Sequence, residues 1–210
     1  MSSAREAILG ALRDGLRGAT VPPLPGVRER TLASEQYIAT FTSMLTRVGG
    51  TVDVVADLAA ARARIGALLA ESGTRTVACS DAPELRDLLS PAVRTLPHDA
   101  PRTELLAADC GLTSAQFGIA ETGTLVLCSG DERHRLASLL PARHVCVLPR
   151  SRLRGTLAEA LAALHHGGAP SSRSITFVTG PSRTADIELT LVVGVHGPKF
   201  LHVVVIDDPM

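Results

Sequence analysis

The chain reads as an α/β protein, a three-layer α/β/α sandwich around a mostly parallel sheet with a helical N-terminal arm. Three observations predict this. From residue 51 onward, short apolar runs alternate with amphipathic segments of helical length. The runs are continuous and rich in Val and Leu, the pattern of strands covered on both faces. A composition of 45% hydrophobic and 20% charged residues over 210 positions is enough to bury a full core.

The elements follow in order. Residues 2–17 form a predicted helix with Ile8, Leu12 and Leu16 on one face. Gly18-Ala-Thr-Val-Pro-Pro-Leu-Pro then makes an extended linker, because prolines cannot continue a helix. Residues 1–33 are therefore a helix and a Pro-rich linker, and 34–210 the α/β domain. Ser34 is the expected N-cap of a second helix striped by Tyr37, Phe41, Met44 or Leu45, and Val48, and stopped by Gly49-Gly50. Strand 51–55, helix 58–70, strand 75–79 and helix 82–89 follow, with Pro83 in the first turn of the last. After a weakly patterned stretch come strand 125–128, helix 133–140, strand 144–148, helix 153–165 and strands 174–179 and 201–206.

Composition excludes several classes of function. Twenty-one basic and 21 acidic side chains cancel, and one Tyr, four Phe and no Trp leave little for bases to stack on. A nucleic-acid partner is not expected. No run of 18 apolar residues exists, so no membrane span is expected, and the first residues lack the apolar core of a secretory signal. A cytoplasmic location follows as an expectation. Cys79, Cys110, Cys128 and Cys146 contain no C-x-x-C pair and read as buried reduced thiols. With no H-E-x-x-H or H-x-H either, neither a metal site nor a cofactor is expected in this chain. Basic residues are nearly all Arg, so the single Lys, Lys199, stands out.

Ligands of open α/β sheets bind beyond the carboxyl ends of the strands, and three segments are expected there. In Gly118-Ile-Ala-Glu-Thr-Gly-Thr-Leu-Val-Leu, Glu121 offers a carboxylate and Thr122 and Thr124 hydroxyls. Gly123 can turn backbone N–H groups toward a ligand. The alternative is a plain hairpin turn with Glu121 in water. In Phe177-Val-Thr-Gly-Pro-Ser-Arg-Thr-Ala-Asp, Gly180 turns the chain, Ser182 or Thr184 can cap a helix, and Arg183 supplies a fork for a carboxylate or phosphate. Asp186 follows; it shares a face with Glu188 in a strand and not in a helix, and the helix is the preferred reading. In Val195-His-Gly-Pro-Lys, His196 is a candidate acid or base and Lys199 an anion contact. Asp131-Glu-Arg-His-Arg reads as a solvated helix start.

Taken together with Leu140-Pro-Ala-Arg-His-Val-Cys-Val, these segments resemble the LUD-domain family, and most closely its lactate-utilisation protein C branch. The quoted motifs run from about residue 109 to the C terminus, four of them in the family's order. The resemblance implies a fold like the NagB/RpiA/CoA-transferase group. It also implies a part in bacterial L-lactate oxidation to pyruvate, beside two iron–sulfur partner proteins that carry the electrons. Three readings stay open. One is a non-redox subunit binding a small carboxylate, phosphate or partner at the three loops. Another is a stand-alone CoA-transferase-like enzyme with Glu121 as nucleophile or base, although the motif around the CoA-transferase glutamate is absent here. The last is a structural adaptor.

Overall fold

The computed structural model describes residues 3–20, 32–130, 132–133, 135–166, 172–184 and 192–207. The chain divides into two units, Met1–Arg30 and Thr31–Met210. In the first, helix α1 (Ala4–Gly15) starts at a reciprocal cap: Glu6 N–H donates to Ser3 Oγ, and Ser3 N–H to the Glu6 carboxylate.

The second unit is built on a six-stranded sheet in which every pairing is parallel. Its strands are β1 (Thr51–Val55), β2 (Thr76–Cys79), β3 (Arg94–Leu96) and β4 (Cys110–Ser114), then two more later in the chain. The helices threaded among these four are α2 (Tyr37–Arg47) before β1, α3 (Leu58–Glu71) before β2 and α4 (Arg102–Leu106) before β4. After β4 come β5 (Phe117–Ile119), β6 (Thr124–Cys128), α5 (Arg135–Leu139), β7 (Arg143–Pro149), β8 (Leu153–Arg154), α6 (Leu157–His166) and β9 (Ile175–Val178). The chain ends with β10 (Arg183–Thr184), β11 (Val192–Val193) and β12 (Phe200–Ile206). The main sheet has the order β1-β12-β7-β4-β2-β3.

Side-chain alternation along these strands feeds two cores. Val77, Cys79, Leu112, Val145, Val147 and Val204 pack on one face with Ala61, Ile65 and Leu69 of α3. Cys146, Leu148, Val203 and Val205 pack on the other with Phe41 and Leu45 of α2. The expected stripe of α2 is therefore correct, with Leu45 rather than Met44 as the inward residue.

A second sheet, order β8-β5-β6-β9, lies over that other face. The apolar runs at 125–128 and 174–179 belong to it and pair antiparallel, not in the parallel sheet. Their pattern misleads for a physical reason. Leu125 and Leu127 face the main sheet's core, while Val126 and Cys128 face Ala160 of α6, so both sides of β6 are covered. Burial on two faces, not strand direction, sets the pattern.

Expected helix starts differ as well: the helix placed at 153–165 begins only at Leu157, because Leu153–Arg154 pair with β5 as β8. Residues 82–89 form only a 3-10 turn, Pro83–Leu85, extended by further i to i+3 hydrogen bonds such as Leu88 N–H to Leu85 C=O. This spacing buries Leu85 and Leu88 together against α3. Ser34 caps nothing; it opens a 3-10 turn, Ser34–Gln36, that leads into α2. No helix among the described residues is long and apolar enough to cross a membrane.

Candidate functional site

None of the three Gly-rich loops sits at the carboxyl end of the parallel sheet. The turn 120–123 joins β5 to β6 in an antiparallel hairpin. The Gly180 segment follows β9 of the second sheet, and residues 194–199 precede β12, at the amino end of the main sheet. Lys199 N–H donates to Ala142 C=O, just before β7, which fixes that segment at the amino end.

The predicted residues within the described segments each have a definite place. Glu121 Oε1 accepts from Leu157 N–H at 2.8 Å, at the positive end of the α6 dipole. Gly123 holds a positive φ of 64°, and a Cβ there would lie 2.3 Å from the Leu45 backbone nitrogen. Its N–H goes to Ala120 C=O, so the glycine serves the close approach of the hairpin to α2. The hydroxyls of Thr122, Thr124 and Thr179 form a chain with 2.7 Å links. Thr122 and Thr124 border an apolar groove of about 380 Å³ with Leu157, Leu161 and Phe177.

The second and third loops are joined. Ser182 N–H donates to Pro198 C=O, Gly194 N–H to Ser182 C=O, and Arg183 pairs with Val193. Arg183 and Thr184 are thus strand residues, and the expected helix entry is not formed because their backbone is held in β10. The Arg183 guanidinium donates to Val48 C=O at the end of α2, beside Gly180. Arg183, His196 and Lys199 are exposed, and the Lys199 ammonium lies 5.6 Å from the Phe200 ring centre. Glu121 shares no hydrogen-bond partner with Arg183 or His196 among the described residues. Asp186 and Glu188 lie outside the described residues.

The carboxyl end of the sheet holds a different group. After β2 the chain turns to one face, where Leu85 and Leu88 join the α3 core. After β4 it turns to the other, into the second sheet and α5, whose Ala137 packs on Ala78. Neighbouring strands whose connections diverge in this way open a crevice between their ends. Ser80 and Ser114 stand there, and the crevice is closed by Glu132.

Glu132 is 2% exposed, so the solvated reading of residues 131–135 is wrong for this side chain. A buried carboxylate requires donors, and four are present. Ser80 Oγ and Ser114 N–H (2.8 Å) donate to Oε1; Ser114 Oγ (2.7 Å) and Gln116 Nε2 (3.2 Å) donate to Oε2. Burial pushes the Glu132 carboxyl above its ordinary value in spite of these bonds.

A second tier orients these donors. Arg152 Nη1 reaches Ser114 Oγ at 3.4 Å, Ala115 C=O at 3.0 Å and the Glu84 carboxylate at 2.8 Å. Burial raises Glu84, but its own amide and Arg152 outweigh that and leave the carboxyl below its ordinary value. Gln116 Oε1 accepts from Cys128 N–H at 2.5 Å, which fixes the orientation of its amide. Alongside, Arg133 donates to Asp81 through its backbone N–H (2.6 Å) and Nε (2.7 Å). Burial raises Asp81 too, and the bonds from Arg133 more than reverse it.

Ser80 and Asp81 also line a cavity of about 450 Å³ beyond the ends of β2 and β3, walled by Leu85, Leu89, Pro91, Val93 and His98 among others. The His98 Nε2 atom is buried without a hydrogen-bond partner. Among the described residues no group of three or more His, Cys, Asp or Glu is placed to hold a metal ion. The signal for this site was present in Cys79-Ser80-Asp81, two polar residues directly after a predicted strand. Glu132 carried none, because nothing in Asp131-Glu-Arg marks which charge turns inward.

The LUD domain family matches residues 38–206. Over 104 residues the chain is 42% identical to lactate utilization protein C of Halalkalibacterium halodurans, covering 48% of this chain and 45% of that protein. Over 113 residues it is 39% identical to lactate utilization protein C of Exiguobacterium sp., covering 52% and 49%. The match thus spans about half the length of these curated relatives. A solved structure of a DUF162 family protein from Deinococcus radiodurans has the same fold, with a TM-score of 0.67 at 23% identity over 84% of this chain and 100% of that one.

Proposed function

Because the chain belongs to the LUD-domain family, in the branch of the lactate utilization C proteins, we propose that it is a non-redox subunit of a system oxidising L-lactate to pyruvate. The observation that carries this reading is the similarity to proteins named for lactate utilization. Oxidation of lactate releases two electrons and two protons. In this proposal the electrons pass to iron–sulfur partner proteins, and this chain supplies binding and assembly. Its site for the partner or a small anion is the joined edge of the Gly180 and Gly194 loops. Support comes from the exposed Arg183 and Lys199, which offer a guanidinium, one nitrogen of which is held by Val48 C=O, and an ammonium on one backbone unit with His196 between them in sequence.

The test is a deletion strain grown on L-lactate as sole carbon source, complemented with the wild-type gene or with Arg183→Ala/Lys199→Ala. Loss of growth, restored by wild type and weakly by the double variant, is expected. Iron–sulfur absorbance should co-purify with the tagged wild-type chain. Normal growth of the deletion strain would overturn the reading.

A further inference from the structure

We propose that Ser80 and Glu132 form a nucleophile–base pair that accepts a short acyl group from an activated ester or thioester in the cavity beyond β2. The proposal is independent of the lactate reading and rests on geometry. The Ser80 hydroxyl already donates to Glu132 Oε1, so its proton points at the oxygen that would take it, and the lone pairs of Oγ are left for attack. Glu132 cannot turn away, because the Ser114 amide and hydroxyl and the Gln116 amide hold its two oxygens. Arg152, which bonds Ser114 Oγ and Ala115 C=O, is a positioning residue for the same carboxylate. Ser80 lines a cavity of about 450 Å³ and Glu132 lies behind it, so the nucleophile borders space that a small substrate can occupy.

The lining selects the substrate class. Leu85, Leu89 and Val93 give the cavity one apolar stretch of wall, long enough for a short acyl chain, beside the polar Asp81, Arg86, Thr95 and His98. A phosphoryl group would need several cations, and Arg86 is the one Arg or Lys among the lining residues.

The step balances without a redox partner. Ser80 Oγ attacks the carbonyl carbon as its proton moves to Glu132 Oε1, and a tetrahedral intermediate forms. Collapse breaks the bond to the thiolate or alkoxide, which leaves with the proton from Glu132. Water then attacks acyl-Ser80 with the same transfer through Glu132, releasing the acid and restoring the hydroxyl.

The full chain is incubated with p-nitrophenyl acetate and with S-acetyl-N-acetylcysteamine, and followed by nitrophenolate release and intact mass. A burst, a mass gain of one acetyl group and peptide mapping of that group to Ser80 are expected. Cys79 also lines the cavity, so the mapped position of the acetyl group, with its resistance to neutral hydroxylamine, which cleaves a thioester and spares a serine ester, separates serine from thiol chemistry. Ser80→Ala should abolish the adduct, and Glu132→Gln should slow the burst by at least about 100-fold and remove its acidic pH limb. No adduct on the wild type, an adduct mapped to Cys79, or one that persists in a folded Ser80→Ala variant overturns the proposal. Should Ser80→Ala not fold, mapping on the wild type decides alone. Normal growth on lactate would leave this result untouched, and an absent adduct would leave the lactate reading standing.

Discussion

Ser80, at the carboxyl end of β2, donates its hydroxyl proton to Glu132, fifty-two positions later in the chain. The bond ties the loop after β2 to the loop after β6 across the crevice where two neighbouring connections diverge. It also makes a buried carboxylate the hub for groups from three segments: Ser80, Ser114 with Gln116, and Glu132 itself.

Removing the hub strands its donors. Glu132→Ala leaves two hydroxyls, an amide and a side-chain amide without their acceptor, and should lower the unfolding free energy by about 3 kcal/mol in urea denaturation. Loss of less than about 1 kcal/mol would mean that water replaces the carboxylate freely.

The pH dependence has a definite sign. Burial raises the native Glu132 carboxyl above 4.5, so the stability linked to it is full below that pH and is lost as pH rises through the native value. Asp81 and Glu84 are lowered, so their contributions are present above about 4 and vanish as pH falls. Wild type should therefore lose stability relative to Glu132→Gln as pH rises from 4.5, as read by urea midpoints across pH 4 to 8. A constant difference would contradict the burial of an ionisable group.

Arg152 and Glu84 should be coupled. Each is partly buried, with side chains 35% and 25% exposed, and the pair is 2.8 Å apart. Arg152→Met should cost about 1–2 kcal/mol, and Glu84→Gln in the same background should cost less than it does alone. Additive losses in a double-mutant cycle would show no interaction.

Gly123→Ala places a Cβ against the α2 backbone at a positive φ. A backbone atom cannot swing aside as a side-chain tip can, so the cost should be at least about 3 kcal/mol, seen as a fall in Tm. Gly73→Ala is the control: it has a positive φ of 65° but open space at its Cβ, and should cost about 1 kcal/mol.

The four thiols should be silent in the native protein. All are buried, and burial pushes Cys79 and Cys110 up to about 12 and Cys146 higher still. A thiol-exchange reagent at pH 8 should label none of them in native buffer and all four in guanidinium. Rapid native labelling of Cys79 would show that the cavity opens widely.

Much of the fold was legible because local patterns and tertiary burial agreed. The α2 stripe of Tyr37, Phe41 and Leu45 and the Val-rich runs of β7 and β12 each state in sequence the face they bury. The stretch 94–119 was opaque: β3 and β5 are three residues long, and Gly111 lies in β4, where a Cβ would lie 1.8 Å from Ala137 C=O. Only close packing against α5 explains a glycine there.

Sequence alone determined the α/β class, the buried state of the cysteines, the α2 face and the membership in a family, since these depend on periodicity, composition and continuous motifs. Tertiary structure decided where chemistry is placed. Whether a loop lies at the carboxyl or the amino end of a strand follows from pairing partners far apart in the chain, as β12 with both β1 and β7 shows. So does the standing of Glu132. One more acid among 21 in sequence, it becomes a buried hub because Ser80, Ser114 and Gln116 supply the donors that burial demands.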